Sequence, residues 1–361
     1  MVRFTVLASG SKGNCTVISG GRTRILVDCG LSCRELFRRM RLAGEELETL
    51  DAIVITHEHS DHVNGVAVTA RKLGIPVYFT EGTHSAWKRW LTPRRQMTYA
   101  QWLEQCRKQA AERQAEADGA QDEGEPDESD LVEAVESSDE QGGRASRFPT
   151  LAPDYPSDED LSPGTPVKRK DGVRVDEAVN TQNASEPAKA KDPTWLPAVE
   201  YFEAGQPFEI GDISVSPFTI PHDAADPVGF VFKAEGVRMA FATDLGYIPP
   251  NVKAQLVGVD LLLLESNHDL EMLRDGPYPW AVKQRVLSRV GHLSNEAAAE
   301  FLENEYDGQA AYVILAHLSE SNNLPELARV TAERALIRRA SLLANRLLLA
   351  AQHEPLSAIY F

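Results

Sequence analysis

The chain is 361 residues long with a formal net charge of −17, and 42% of its residues are hydrophobic and 25% charged. This is ordinary globular composition, in a length that suits one large domain or two small ones. No apolar run reaches the roughly 18 residues that a membrane-spanning helix needs, which excludes such a helix.

The opening MVRFTVLASGSKGNC reads directly as a strand rather than a secretory leader. The four cysteines (Cys15, Cys29, Cys33, Cys106) make neither a disulfide framework nor a zinc ribbon, so a cytoplasmic location is expected. After RFTVLAS, the Gly-rich SGSKGN leads into two further strands, CTVISG and RILVDCG. SCRELFRRMRLAG predicts a helix opened by Ser32 with Glu35 three residues on, a capping-box pattern. DAIVITHEH reads as a buried strand, and HVNGVAVTARKLG as a helix leading into PVYFT. From about 198 to 266 the chain is strand-rich: FEIGDISVSPFTI, VGFVFKAEGVRMAFATD and LLLLES, with turns at Gly211-Asp212 and Glu235-Gly236. A helix NEAAAEFLENEY, a strand AAYVILAHL, a long helix from about Pro325 to Ala340 and a closing strand SAIYF follow.

The charge is segregated. Residues 100–195 hold 23 acidic against 11 basic residues, a net of −12, which leaves −5 for the other 265. The stretch from about 94 to 197 is rich in Asp, Glu, Ser, Pro, Gln and Ala, and nearly empty of apolar clusters beyond Ala100–Ala117, a candidate helix. Such composition buries too little apolar surface to offset ordering entropy, so a long disordered acidic insertion is expected there. Its plain role is a solvated linker. The other reading is a tail that recruits a protein partner or shields the molecule by mimicking nucleic-acid charge. An acidic total argues mildly against non-specific nucleic-acid binding, and its segregation weakens that argument.

Chemistry concentrates in Ile53-Val54-Ile55-Thr56-His57-Glu58-His59-Ser60-Asp61-His62, where an apolar run ends in three imidazoles and two carboxylates. Burying such a cluster is costly unless its polar groups are paired, and a metal ion pairs them. His57 and His59, two apart, project to one side of an extended segment, and Asp61 and His62 follow where the next helix begins. Four ligands in two pairs suit two adjacent metals better than one. Further ligands belong at the ends of later strands: His222 follows FTIP, Asp244 ends MAFAT and His317 ends YVILA. Each alone is more often a turn former or a satisfied polar group. Together, in this order after apolar strands, they point to ligation.

The succession LASGSKGN, VDCG, THEHSDH, PHDA, TDLG, LLESNHD, GHLSN and AHLSESNN resembles the metallo-β-lactamase fold superfamily, and within it the YycJ/WalJ group of nuclease-like proteins. The likeness covers about 1–92 and 198–361. It implies an α/β fold, the αβ/βα four-layer sandwich, in two halves (1–93 and 198–361) around the insertion 94–197, with a two-metal site at one edge. It also implies that His57, His59 and His222 bind one divalent ion, that Asp61, His62 and His317 bind the other, and that Asp244 bridges them. Asp61 would also orient a metal-activated hydroxide, and Asp28 of VDCG would support the ligands. By spacing alone Asp28 is equally a turn aspartate before Gly30. Zinc suits such a site first, and manganese or iron is compatible with the same ligands.

By the same resemblance His292 of GHLSN is the general acid to the leaving oxygen, a task suited to an imidazole; a helix cap is the alternative. His268 of Asn267-His268-Asp269 is either a second substrate-facing acid or is held by Asp269. Ser11, Lys12 and Asn14 of the SGSKGN loop, with Lys283 and Arg285, are candidate phosphate contacts, against a tight hairpin and a solvated charged face. Asn322 and Asn323 are read as fixing the loop that presents His317, and His84 and His353 as structural.

The leading expectation is a dinuclear metal-dependent phosphodiesterase on nucleic acid, a 5′-exonuclease on DNA before RNA. A hydrolase of a small phosphodiester or thioester is the alternative, favoured by the lack of a large basic patch. A metal-stabilised binding protein without turnover is the third reading, and the full set of ligands stands against it.

Overall fold

The computed structural model describes residues 1–46, 49–92, 192–337 and 346–361, and in them fourteen strands form two seven-stranded sheets. The first runs β14(Ile359–Tyr360), β1(Arg3–Ala8), β2(Cys15–Ser19), β3(Arg24–Val27), β4(Ala52–Val54), β5(Pro76–Phe79), β6(Ala198–Tyr201). The second runs β13(Arg346–Leu349), β12(Tyr312–Ala316), β11(Leu261–Glu265), β10(Val237–Ala242), β9(Val228–Ala234), β8(Ile213–Thr219), β7(Phe208–Ile210). Each sheet passes from antiparallel hairpins on one side to parallel strands on the other, β3 to β6 in the first and β10 to β13 in the second.

Parallel strands covered on both faces need continuous apolar runs, and β11, Leu-Leu-Leu-Leu-Glu, is buried at every residue. One apolar layer lies between the sheets, where the rings of Phe4 and Phe241 stand 5.4 Å apart. A second fills the space under helices Cys33–Leu42, Val66–Leu73 and Glu81–Leu91. A third lies beneath helices Pro250–Gln255, Asn295–Asn304 and Pro325–Ile337. The result is the expected αβ/βα four-layer sandwich. Among the described residues no helix is long and apolar enough to cross a membrane.

The predicted turns are present: Gly211 (φ 57°) lies between β7 and β8, and Glu235-Gly236 (φ 47° and 86°) closes β9 onto β10. Ser32 caps its helix, its Oγ accepting from the Glu35 amide at 3.4 Å. The capping box is not completed, because the Glu35 carboxylate turns to Arg38 and Arg39. The helix expected over HVNGVAVTARKLG is two, Ser60–Val63 and Val66–Leu73. They part at Gly65, whose amide bonds to the Cys29 carbonyl at 2.8 Å and where a Cβ would stand 2.0 Å from the Leu31 carbonyl oxygen. The segment Ala100–Ala117 lies outside the described residues, as does the expected insertion except for 192–197. There Arg71 donates to the carbonyls of Asp192, Pro193 and Trp195, and Leu196 is buried.

His84 is structural, and it has partners that its sequence neighbours do not reveal. It stacks on Phe79 at 5.0 Å, and its Nδ1 lies 2.7 Å from the Tyr201 hydroxyl. Burial, and then the charge of Lys88, push its pKa from 6.5 down to about 4. The folded state therefore holds His84 neutral at pH values where the unfolded chain takes up a proton. Its contribution to stability is present above about pH 6.5 and is lost as the pH falls towards about 4. Replacing His84 with Phe should flatten that acid limb in urea-unfolding midpoints measured across the interval. An unchanged slope would contradict the assignment.

Candidate metal centre

The carboxyl ends of the parallel strands of both sheets meet at one edge of the sandwich, the usual place for a site in such sheets. Asp28 follows β3, His57 lies three residues past β4, Asp244 two past β10, and His317 directly after β12, while Glu265 ends β11. Asp28 (φ 58°), Asp244 (φ 61°) and His317 (φ 57°) take left-handed backbone conformations that side-chain-bearing residues rarely adopt. Such strain, on the order of 1–3 kcal/mol per residue, persists only where the surroundings over-determine it. All three are buried.

Backbone bonds stitch the neighbouring loops together. The Asn14 amide donates to the Asp61 carbonyl at 2.7 Å, the Cys29 amide to the His62 carbonyl at 2.8 Å, and the Gly30 amide to the Asn14 carbonyl at 3.1 Å. Extended backbone at His59 (ψ 148°) precedes the helix Ser60–Val63, so His57 and His59 lie outside it while Asp61 and His62 lie within it.

The donor atoms of His57, His59 and His222 lie within 4.8 Å of one another, and so do those of Asp61, His62 and His317. Asp244 stands between the two groups. Its Oδ2 is 3.5 Å from His62 Nε2 and its Oδ1 is 3.4 Å from His317 Nε2. His57 Nε2 and Asp244 Oδ2 are buried with no hydrogen-bond partner, an arrangement that is costly unless a cation fills it. The donor set thus fits a divalent metal.

The electrostatics agree. Burial, and then the charges of His62 and His59, push the His57 imidazole well below its ordinary range, so it presents a lone pair. Burial lowers His222 to about 4. Burial would also lower His62 and His317, but Asp61, Asp244 and Asp28 around the first, and Asp244, Asp61 and Glu265 around the second, hold both well above the usual value. The ion pairs of these four carboxylates are made to imidazoles. A divalent cation answers that excess of negative charge better than shared protons do.

Asp28 is both a turn residue and a support. Its Oδ2 lies 2.8 Å from His62 Nδ1, and its Oδ1 accepts from the Thr56 amide at 2.9 Å. The Thr56 hydroxyl in turn lies 3.0 Å from His57 Nδ1, so the outer nitrogen of each ring is engaged. The sequence expectation omits both Thr56 and Glu265. Glu265 is fully buried, accepts from the Leu245 amide at 2.8 Å and lies 2.7 Å from His292 Nδ1 and 3.3 Å from His317 Nδ1. Its signal was available: four leucines ending in a carboxylate repeat the pattern of an apolar strand running into charge.

His292 stacks on His317 with ring centroids 5.2 Å apart. His268 is buried, and its Nε2 has no partner. Asp269 does not hold it, serving instead as a helix cap that accepts from the Glu271 and Met272 amides. Asn323 binds the Ser266 and Asn267 carbonyls, and Asn267 donates to the His317 carbonyl. The buried Asn322 side chain makes no hydrogen bond among the described residues, so of the two expected asparagines Asn323 ties the loop through its side chain.

The candidate phosphate contacts are scattered. Asn14 sits in the cluster, its amide nitrogen 3.0 Å from both Asp61 Oδ2 and His62 Nε2. The amides of Gly10, Lys12, Gly13 and Asn14 are all engaged within the protein. Ser11 is exposed, and Lys12 pairs with Glu320 at 2.6 Å. Lys283 donates to the carbonyls of Arg274 and Gly276. Arg285 pairs with Asp223, whose Oδ1 lies 3.5 Å from His222 Nε2.

A Cβ at Gly30 would stand 1.6 Å from the Asp61 carbonyl oxygen, in the middle of this stitching. Gly30→Ala should therefore destabilise the fold by on the order of 1–3 kcal/mol or more in denaturant unfolding. Wild-type stability in that variant would show that the loops are not closely packed.

The metallo-beta-lactamase superfamily model matches residues 8–292. The exodeoxyribonuclease YycJ of Bacillus anthracis is 28% identical over 335 residues, covering 93% of this chain and 89% of its own. The exodeoxyribonuclease WalJ of Streptococcus pneumoniae serotype 2 (strain D39) is 29% identical over 329 residues, covering 91% and 86%. Among solved structures, the metallo-beta-lactamase fold protein YhfI of Bacillus subtilis matches with a TM-score of 0.54 at 12% identity over 98% of both chains, a likeness of fold. A family match over most of the chain, joined to buried His/Asp donor groups at the strand ends, makes this protein a metal-dependent hydrolase belonging to the metallo-β-lactamase superfamily.

Proposed function

We propose that the chain is a two-metal phosphodiesterase that removes nucleotides from the 5′ end of DNA. The observation that carries this reading is the pair of donor groups on either side of Asp244. His57, His59 and His222 would hold one ion and Asp61, His62 and His317 the other, with Asp244 shared. Zinc suits these imidazole-rich sets, and manganese or iron accepts the same donors. Ions bound there supply Lewis acidity, which activates water near neutral pH and neutralises phosphoryl oxygens. Asp61, 3.3 Å from both His62 Nε2 and His317 Nε2, orients the attacking oxygen. His292 is fixed through Nδ1 by Glu265, which leaves Nε2 to carry a proton to the leaving alkoxide. DNA as the substrate is supported by the names of the two relatives.

A second reading, a hydrolase of a small phosphodiester or thioester, is favoured by one observation. Lys12 and Lys283, the lysines best placed by sequence to hold a phosphate, are already engaged within the protein.

Degradation of 5′-labelled and 3′-labelled DNA, with RNA in parallel, separates the two. Release of nucleotides from the 5′ end of DNA, lost in Asp61→Ala, is expected. Turnover of a small diester with every polymer left intact would favour the second reading. His292→Ala should slow DNA cleavage by about 10²–10⁴-fold. It should slow hydrolysis of bis(p-nitrophenyl) phosphate far less, since the phenolate leaves without a proton. Equal losses on both substrates would contradict the acid role.

A further inference from the structure

Helix Trp280–Val286 buries none of its residues. Only Val282, Lys283 and Val286 are half-buried, and Trp280 at its start is 68% exposed. Indoles are enriched at binding surfaces, where one end is apolar and the other wet. The surrounding segment 276–295 holds three cations: Lys283 donates to the Arg274 and Gly276 carbonyls, Arg285 pairs with Asp223, and Arg289 makes no ion pair among the described residues.

This strip is fastened to the metal centre. The His292 amide donates to the Val286 carbonyl at 3.0 Å, so the end of the helix abuts the residue read as the acid. Gly246, two residues past Asp244, packs so closely that a Cβ would meet the Ser288 carbonyl oxygen at 2.5 Å. The Arg289 guanidinium lies over the Tyr247 ring, 4.4 Å from its centroid. Six residues of helix put Trp280 about 9 Å along the axis from Val286, at 1.5 Å per residue. That span is roughly two or three nucleotides of stacked strand, at about 3.4 Å each.

We propose that Trp280 is the platform on which a base of single-stranded DNA stacks as the strand leaves the metal centre, with Arg289 as the cation of this segment that faces its phosphates. The proposal rests on the nuclease reading above. Every base presents a π face, so such a grip favours polymer over small diester without selecting sequence. Trp280 is a specificity residue here and takes no part in the chemical step.

The test compares the metal-loaded wild type with Trp280→Ala and Trp280→Phe on a single-stranded oligodeoxynucleotide and on bis(p-nitrophenyl) phosphate, which is too small to extend from the metal centre to Trp280. Trp280→Ala should raise KM for the oligonucleotide by about tenfold, the usual effect of losing one stacked base. Turnover of the small diester should be unchanged, and Trp280→Phe should recover most of the affinity. An unchanged oligonucleotide KM, or equal losses on both substrates, would overturn the proposal. A change of sedimentation behaviour with KM unchanged would assign the face to a second copy of the chain and overturn it equally. A wild type that degrades no oligonucleotide yet hydrolyses the diester would instead remove the nuclease reading, and this proposal with it.

Discussion

Burial of negative charge at the meeting edge of two sheets is the constraint on which the rest of the structure depends. Asp244 is 2% exposed and lies between His62, on the first sheet's side, and His317, on the second's. A buried carboxylate without compensation is among the costliest groups a protein can hold. Sharing Asp244 between imidazoles from both halves couples the sheets at their common edge. The same arrangement puts donors in two groups around one carboxylate, so what lowers the cost of burial also defines the metal centre.

Rigidity follows from how the candidate ligands are held. Asp28 and Thr56 occupy the outer nitrogens of His62 and His57, and Glu265 does the same for His292 and His317. Each ring then has one nitrogen fixed and one aimed at the centre. The backbone adds left-handed turns at Asp28, Asp244 and His317, stored strain that the surrounding bonds hold in place. Donors set in advance need little reorganisation when charge develops on a substrate. Precision at the strand ends is thus the link between the sandwich and its chemistry.

Much of this was legible in the sequence because the informative residues are local. His57, His59, Asp61 and His62 fall within six positions at the end of an apolar strand, and His222, Asp244 and His317 each follow another. What escaped depends on which partner each group takes in the fold, which residue type and spacing do not reveal. Lys12 and Lys283 read as phosphate binders by charge, but Glu320 and two carbonyls take up their ammonium groups. Gly65 breaks a helix because Leu31 crosses it closely, and the Glu35 carboxylate goes to arginines rather than back to its cap. The edge strands β6 and β13 bury too little to leave an alternating pattern. Glu265 is the instructive omission, since its value lies wholly in the partners it orients.

The most direct test of the central claim is the metal content of the intact chain. Protein dialysed against zinc or manganese, with free metal removed, should retain two ions per chain by elemental analysis, and a Asp244→Asn variant should retain fewer. One ion at saturation, or none, would contradict a centre built from two donor groups that share a carboxylate.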